Sequence, residues 1–269
     1  MGKMPHIQLD RSIGATAAIL PGDPARVDHI AGYLTDVRRE GFNREYKSVT
    51  GMYKGRRILA ISTGMGGPSS AICVEELADL GVRDMIRIGS CGALQKDLSL
   101  GQLVLCDRAV CDDGTSQTYR NYLRYADEEL DRKMGTGLPA DAKGEPAICW
   151  AWGDPKLLEA CQKAAKGQGF SCVTGSTRCH DALYQREKPK LDEFYSARGV
   201  LASDMETAAL FAVGAFRGVR TASILNVVVE WKKDLKEGIS SYKGGADLAA
   251  MGEEHEILTA LEALASLKE

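Results

Sequence analysis

The sequence predicts an α/β fold, a three-layer α/β/α sandwich with a central mixed sheet, formed by a single domain over residues 1–269. Three observations support this prediction. Short, nearly all-apolar runs alternate with longer segments of helical pattern. Several helical segments begin with Pro, whose missing N–H costs nothing at the first helical position. No linker, repeat or low-complexity tract divides the chain, which is long enough for one large core.

The elements follow in order along the chain. Predicted strands cover residues 15–20, 57–63, 84–90, 102–110, 170–176 and 221–229, and predicted helices cover 24–34, 68–81, 155–169, 204–218 and 253–269. Nearly all-apolar strands are typical of a sheet that is covered on both faces and contains parallel strands. The polar stretch at about 112–150 predicts an irregular, lid-like excursion.

Composition excludes several classes of function. With 44% hydrophobic and 26% charged residues and a net charge of -3, the chain offers no basic surface for nucleic acid, so a small ligand is expected. No apolar run reaches the roughly 18 residues of a membrane span and no signal peptide is recognisable, which predicts a cytoplasmic protein. The eight cysteines form no CxxC and the four histidines lack ligand spacing, so we expect reduced, buried thiols and no structural metal site.

Ligands of open α/β sheets gather beyond the carboxyl ends of strands, so the residues after each strand are the first candidates. In ILPGDPARVDHI (19–30), Gly22 permits close backbone approach, Asp23 can cap the helix that Pro24 begins, and Arg26 adds a fixed charge to its first turn. Such a helix N-terminus attracts anions. A capped turn with a surface arginine explains the same residues, and this stretch alone slightly favours it.

Two further junctions place charges beside apolar runs. In IRIGSCGAL, Arg87 lies inside an apolar strand before Ser90, where it needs either an anion or a buried carboxylate, and the pattern favours neither. In LASDMETAALF, Glu206 begins a long apolar helix. Ser203 and Glu206 fit the capping box S-x-x-E, which we favour over a ligand-binding role for the carboxylate.

A glycine-rich junction, STGMGGPSSA (62–71), precedes another helix that begins with Pro. It is a poor match to a dinucleotide-binding loop because Ser69 stands where the third glycine would be, and it lacks the GK[ST] of a P-loop. A tight strand-to-helix turn is the better interpretation. Two arginines, glycine turns and one carboxylate together suggest a phosphate and a sugar.

With these residues in order, the chain resembles the nucleoside phosphorylase superfamily, which includes uridine phosphorylases, hexameric purine nucleoside phosphorylases and methylthioadenosine nucleosidases. The motifs LPGDPARV, NREY, STGMGGPS, IRIGSCGAL and SDMETAAL match in register over essentially the whole chain. CHDALYQ (179–185) and SDMETAALF favour the uridine phosphorylase branch. The resemblance implies the nucleoside phosphorylase type of three-layer sandwich.

The resemblance also implies residue roles, with Arg26, Arg87 and Glu206 as the catalytic set. The implied phosphate site is Gly22, Arg26, Arg87 and Ser90, with Arg44 of NREY from a neighbouring subunit. The implied ribose site is Met205 and Glu206 with the neighbour's His6, and the implied base site is Leu183, Gln185 and Arg186. Some relatives bind a monovalent cation such as K⁺ between subunits, here at Glu45, Met65 and Ser69. No other metal or redox cofactor is expected, and phosphate is a co-substrate.

The implied activity is reversible phosphorolysis of uridine, and of deoxyuridine or thymidine, to free base and sugar 1-phosphate. The implied assembly is a homo-oligomer with a dimer as minimum unit and a hexamer, a trimer of dimers, as precedent. Alternatives are a purine nucleoside phosphorylase, a hydrolytic nucleosidase and a nucleoside-binding protein without turnover. Three arginines disfavour water as the nucleophile. LNVVVEWKKD lacks the aspartate that protonates a purine, while Leu183 stands where uridine phosphorylases carry phenylalanine.

Overall fold

The computed structural model describes residues 2–126, 148–243 and 247–267. The strands in these ranges are β1 (Ala17–Pro21), β2 (Thr35–Asn43), β3 (Tyr46–Tyr53), β4 (Arg56–Ile61), β5 (Asp84–Ala93), β6 (Leu103–Asp112), β7 (Trp150–Trp152), β8 (Cys172–His180), β9 (Ala202–Asp204) and β10 (Arg220–Val229). The helices are α1 (Pro24–Ala31), α2 (Gly67–Leu80), α3 (Gly114–Ala126), α4 (Pro155–Gly167), α5 (Lys188–Ser196), α6 (Thr207–Arg217), α7 (Leu235–Lys243) and α8 (Asp247–Ser266). A short 3₁₀ turn, Arg11–Ile13, precedes β1.

The strands form one mixed sheet in the order β10-β6-β8-β9-β5-β1-β4-β3-β2, with β7 paired to β6. β1 runs parallel to β4 and β5, and β5 runs parallel to β10. β5 also pairs with β9, so that β5, β10, β6, β8 and β9 close into a ring. The mixed central sheet confirms the predicted fold class, and the end of β5 pairs with both β9 and β10.

Helices cover both faces of the sheet, as predicted. On one face α2 and α6 pack on the sheet through buried side chains such as Val74, Leu77 and Phe211. On the other face α1, α4 and α8 contribute Val27, Leu157 and other buried apolar residues. Within the described ranges, no helix has both the length and the apolar character needed to cross a bilayer.

Local signals explain most helix boundaries. Asp23 caps α1 by accepting from the N–H of Ala25 at 2.8 Å, and Asp154 caps α4 by accepting from the N–H of Leu157 at 2.9 Å. In both helices Pro follows the cap. Gly81 ends α2 in the left-handed region with φ of 97°. The helix starts predicted from Pro and the cap predicted at Asp23 are confirmed, whereas the roles of Asp154 and Gly81 come from the structure.

The outermost hairpin was not predicted. β2 is exposed along almost its whole length and reads TDVRREGFN, so it carries no alternation of apolar and polar residues. Charged side chains are characteristic of an edge strand, because they discourage pairing with another sheet. The turn between β2 and β3 places Arg44 in the left-handed region with φ of 56°.

The excursion predicted at about 112–150 is partly wrong. Residues 127–147 lie outside the described residues, but α3 occupies the first part and β7 begins at the end. Asp113 explains α3, because its carboxylate accepts from the N–H of Ser116 at 2.7 Å in the manner of a helix cap. The last helix begins at Asp247 rather than at 253, and residues 268–269 lie outside the described part.

Candidate active site

Arg87 lies at the centre of the candidate site, on β5 among apolar neighbours, with only 5% of its surface exposed. Its Nη2 donates to Glu206 Oε2 at 2.5 Å, and its Nε donates to Asp204 Oδ2 at 3.2 Å. Nη1 is buried and has no hydrogen-bond partner among the described residues. A buried guanidinium with one N–H group unsatisfied is prepared to bind a further acceptor. The sequence left two explanations for a buried Arg87, a carboxylate partner or a bound anion. Two carboxylates are present, and Nη1 remains available to an anion.

Glu206 does not form the predicted capping box. Ser203 is a residue of β9 whose hydroxyl contacts His180, so it does not cap α6. The cap is supplied by Asp204, which accepts from the N–H of Thr207 at 3.0 Å and from its hydroxyl at 2.6 Å. Asp204 was not predicted for this role, and the Glu206 carboxylate points to the site instead of back to Ser203.

The carboxylate of Glu206 lies between Arg87 and a glycine loop. Its Oε1 accepts from the N–H of Gly66 at 2.6 Å, opposite the Arg87 contact to Oε2. Burial raises the pKa of Glu206, while the charge of Arg87 opposes the rise. Both oxygens are thus held in place, as required of a carboxylate that orients hydroxyl groups.

The glycine loop packs against the turn that follows β1. The N–H of Gly64 donates to Gly22 O at 3.0 Å, and the N–H of Thr63 donates to Pro21 O at 2.9 Å. Gly64 and Gly66 have φ of 69° and 93°, and a Cβ on Gly64 would come within 2.8 Å of Glu45 Cγ. Glycine is needed here because the loop turns tightly against a neighbour. The tight-turn interpretation of this segment is confirmed.

Arg26 is not the surface arginine that the local pattern favoured. Only 6% of its surface is exposed, and its guanidinium faces α8. Nε lies 3.1 Å from Glu253 Oε2, and Nη1 lies 3.0 Å from Glu256 Oε1. The expectation failed because the partner carboxylates come from the far end of the chain. Ser90, by contrast, is exposed at the carboxyl-terminal part of β5.

Sequence reasoning missed Glu253 and Glu256. Glu256 is completely buried, and its Oε2 accepts from the N–H of Gly89 at 3.1 Å. Burial raises its pKa to about 7, against the opposing charges of Arg26 and Arg87. One signal was available: Glu256 is seven residues after Ala249 and four before Ala260, and all three are buried. A charge at a position of the buried helical stripe indicates a buried ion pair.

Two residues predicted to serve a neighbouring subunit lie apart from this cluster. Arg44 is exposed at the tip of the β2–β3 hairpin. His6 is half-exposed, with Nδ1 at 2.6 Å from Glu76 Oε1. Glu76 also accepts from the N–H groups of His6 and Ile7, which fixes the His6 segment.

The residues predicted to bind the base lie on the segment between β8 and α5. Leu183 and Gln185 are half-buried and Arg186 is exposed. Tyr184 is 68% exposed, with Lys236 Nζ of α7 lying 5.9 Å from the centre of its ring. Met205, predicted at the ribose, is half-buried beside Glu206. The described contacts do not connect these base residues to the Arg87 cluster.

His180, at the end of β8, is a buried residue that sequence reasoning left without a role. Its Nε2 lies 3.0 Å from the hydroxyl of Ser203, and Nδ1 has no partner within the ranges that the structure describes. Burial and the nearby charges of Arg178 and Lys188 lower its pKa to about 4, so the imidazole is neutral near pH 7. His180 is the last residue of β8 and directly precedes the segment that carries the predicted base residues.

The predicted cation residues are only partly brought together. Ser69 Oγ donates to Glu45 Oε1 and also lies 2.6 Å from Thr63 O, whereas Met65 is 86% exposed. The bond from Ser69 lowers the pKa of Glu45. No group of three or more His, Cys, Asp or Glu side chains in the described ranges is arranged to hold a metal ion.

Similarity to known proteins identifies the family. The phosphorylase superfamily model matches residues 16–240. The chain belongs to the phosphorylase superfamily. A guanosine phosphorylase of Halorubrum lacusprofundi is 34% identical, over 84% of this chain and 83% of the relative. A uridine phosphorylase of Treponema pallidum is 33% identical, over 83% and 81% of the two chains.

Solved structures of this superfamily share the fold. Uridine phosphorylase from Vibrio fischeri superposes with a TM-score of 0.82 at 33% identity, covering 99% of both chains. Purine nucleoside phosphorylase from Toxoplasma gondii, in complex with immucillin-H, gives a TM-score of 0.78 at 30% identity, covering 98% of this chain and 96% of that one. The similarity therefore extends over the whole fold, including the strands that carry the Arg87 cluster.

Proposed function

We propose that the protein is a nucleoside phosphorylase that cleaves uridine, and deoxyuridine or thymidine, with inorganic phosphate. The observation that carries the proposal is the buried pair of Arg87 and Glu206, in which Arg87 Nη1 has no partner among the described residues. One face of this pair offers donors to an anion, and the other offers a carboxylate to sugar hydroxyls. This is the pairing that phosphorolysis of a nucleoside requires.

In the proposed reaction, a phosphate oxygen attacks C1′ of the ribose while the bond from C1′ to the base nitrogen breaks. The electron pair of that bond leaves with the base, which takes up the proton that hydrogen phosphate loses, and the products are free base and ribose 1-phosphate. Arg26 and Arg87, with the N–H groups near Gly22 and Ser90, would hold the phosphate beside C1′. Glu206 would orient the ribose and favour the positive charge that develops on it.

Uridine is proposed because curated relatives and a full-length structural neighbour are named uridine phosphorylases. The end of β10 and the two residues after it read NVVVEW and supply no aspartate at the position where purine-cleaving relatives protonate the base. The guanosine phosphorylase among the relatives supports a purine as the second candidate.

A substrate panel tests the activity. We expect free base from uridine in the presence of phosphate, and none from inosine, guanosine, adenosine or methylthioadenosine. Base release that proceeds equally well without phosphate would show a hydrolase, and release from guanosine alone would move the assignment to purines. A protein that binds uridine but releases no base under any condition would be a binding protein.

We further propose a cytoplasmic homo-oligomer with a dimer as its minimum unit and a hexamer, a trimer of dimers, as its full assembly. Each site takes Arg44 and His6 from a neighbour, and K⁺ binds near Glu45, Met65 and Ser69. The exposed tip that carries Arg44 supports this arrangement, and all eight cysteines are free thiols. Mixing inactive Arg44→Ala and Arg87→Ala subunits tests it. Mixed oligomers should regain activity, because some sites then combine intact residues from both chains; no recovery after subunit exchange would contradict shared sites.

A further inference from the structure

The fully buried carboxylate of Glu256 lies close to Arg26 and Arg87, the two arginines that would bind phosphate in the proposed reaction. Glu256 Oε1 is 3.0 Å from Arg26 Nη1, and Glu256 Oε2 accepts from the N–H of Gly89, two residues after Arg87. Glu253 adds a second carboxylate at 3.1 Å from Arg26 Nε. Arg26 is therefore already neutralised from within the chain before any anion arrives.

The position of Glu256 is fixed by the packing of α8. A Cβ on Gly252 would lie 2.2 Å from Asn226 Oδ1, so the helix approaches β10 closely at that point. Asn226 Nδ2 also donates to Ala249 O at 2.8 Å. With its helix locked against β10 and no exposed surface, Glu256 cannot turn its carboxylate into solvent when an anion binds.

Charge balance decides what this carboxylate does. The guanidiniums of Arg26 and Arg87 face four carboxylates: Glu253, Glu256, Asp204 and Glu206. Glu206 has a role in binding the ribose, and Asp204 has a role in capping α6. Glu256 has neither role. In a buried setting, a like charge close to a bound anion weakens its binding substantially.

We infer that Glu256 competes with phosphate for Arg26 and thereby sets how weakly this protein holds its nucleophile. The inference rests on the proposed function for the identity of the anion. Glu256 is a positioning residue in this account, since it acts through Arg26 and contacts neither the sugar nor the base. Its removal should strengthen phosphate binding while leaving uridine binding unchanged.

The test compares phosphate binding by the wild-type protein, Glu256→Gln and the control Glu254→Gln, using titration calorimetry with inorganic phosphate alone. Glu254 lies on the same helix but is exposed, where it accepts from the hydroxyl of Tyr33. We expect Glu256→Gln to lower the Kd for phosphate about fivefold or more, the lower end of typical coupling between sites, with no change for Glu254→Gln. An unchanged or raised Kd in a folded Glu256→Gln protein would overturn the inference.

Kinetics provide the second readout. The KM for phosphate should fall in Glu256→Gln while the KM for uridine stays constant, a split that general loosening of the fold would not produce. If Glu256→Gln does not fold, Glu256→Ala is to be measured against the same two expectations. Stronger phosphate binding in a protein that cleaves no nucleoside would support the inference and refute the proposed function, whereas active enzyme with unchanged phosphate binding would refute the inference alone.

Discussion

The two halves of the candidate site differ sharply in how the chain holds them. At the centre of the phosphate and ribose half, Arg26, Arg87 and Glu206 are buried, and each has partners at hydrogen-bond or ion-pair distance. The base half, from Leu183 to Arg186, is half-buried or exposed. Preorganised charges belong where the chemistry is common to all nucleosides. A segment with few buried contacts, such as 183–186, suits base recognition, because the base differs between relatives that share this fold.

The largest effect should come from the preorganised half. Arg87→Ala removes the donor nearest the centre of the cluster and leaves Asp204 and Glu206 unpaired. We expect kcat/KM for uridine to fall about 1000-fold, the upper range for loss of one charge-stabilising donor. The control is Arg39→Ala, since Arg39 is an exposed arginine of the edge strand β2. If Arg87→Ala kept more than a tenth of the wild-type activity, Arg87 would not be a central donor of the phosphate and ribose half.

Glu256 should also give stability a distinct pH dependence. Its folded pKa of about 7 exceeds the ordinary carboxyl value of 4.5, so between these pH values the folded state binds more protons than the unfolded state. The free energy of unfolding of the wild type should therefore fall as pH rises through this window, by at most about 3 kcal/mol relative to Glu256→Gln. Urea unfolding of both proteins at pH 4.5, 5.5 and 7 measures it. If the free energies of unfolding of the two proteins changed in parallel with pH, Glu256 would already be ionised at pH 4.5.

A smaller and more selective effect is expected in the base half. Gln185→Ala removes one hydrogen-bonding side chain from a half-buried position, so the KM for uridine should rise about tenfold, as for one lost hydrogen bond. The KM for phosphate should not change. Initial rates with each substrate varied in turn separate the two values. A matching rise in both would mean that the halves are coupled rather than independent.

The smallest expected change is a gain. Leu183→Phe supplies a ring on which the base could stack, which is worth about 1 kcal/mol. We expect uridine to bind about fivefold more tightly, as measured by equilibrium titration without phosphate. Since Leu183 is half-buried, the larger side chain has room to adjust. Weaker binding would place Leu183 in packing rather than against the base.

The sequence predicted those features that local patterns determine. Apolar runs located the strands of the core, and Pro located the starts of α1 and α4, with Asp23 as the cap of α1. Two kinds of feature escaped it. The edge strand β2 lacks apolar alternation, and the partners of Arg26 lie more than 220 residues away on α8. Local capping rules also selected Ser203 and Glu206, whereas the contact between Glu206 and Arg87 across 119 positions decided the outcome.

If Arg26, Arg87 and Glu206 join a phosphate to a ribose, the sugar that the reaction releases must carry the phosphate. Uridine, inorganic phosphate and the protein are incubated together, and the sugar is identified by phosphorus NMR. We expect one molecule of ribose 1-phosphate for each molecule of uracil released, and no release of uracil when phosphate is omitted. Free ribose in place of ribose 1-phosphate would contradict this expectation.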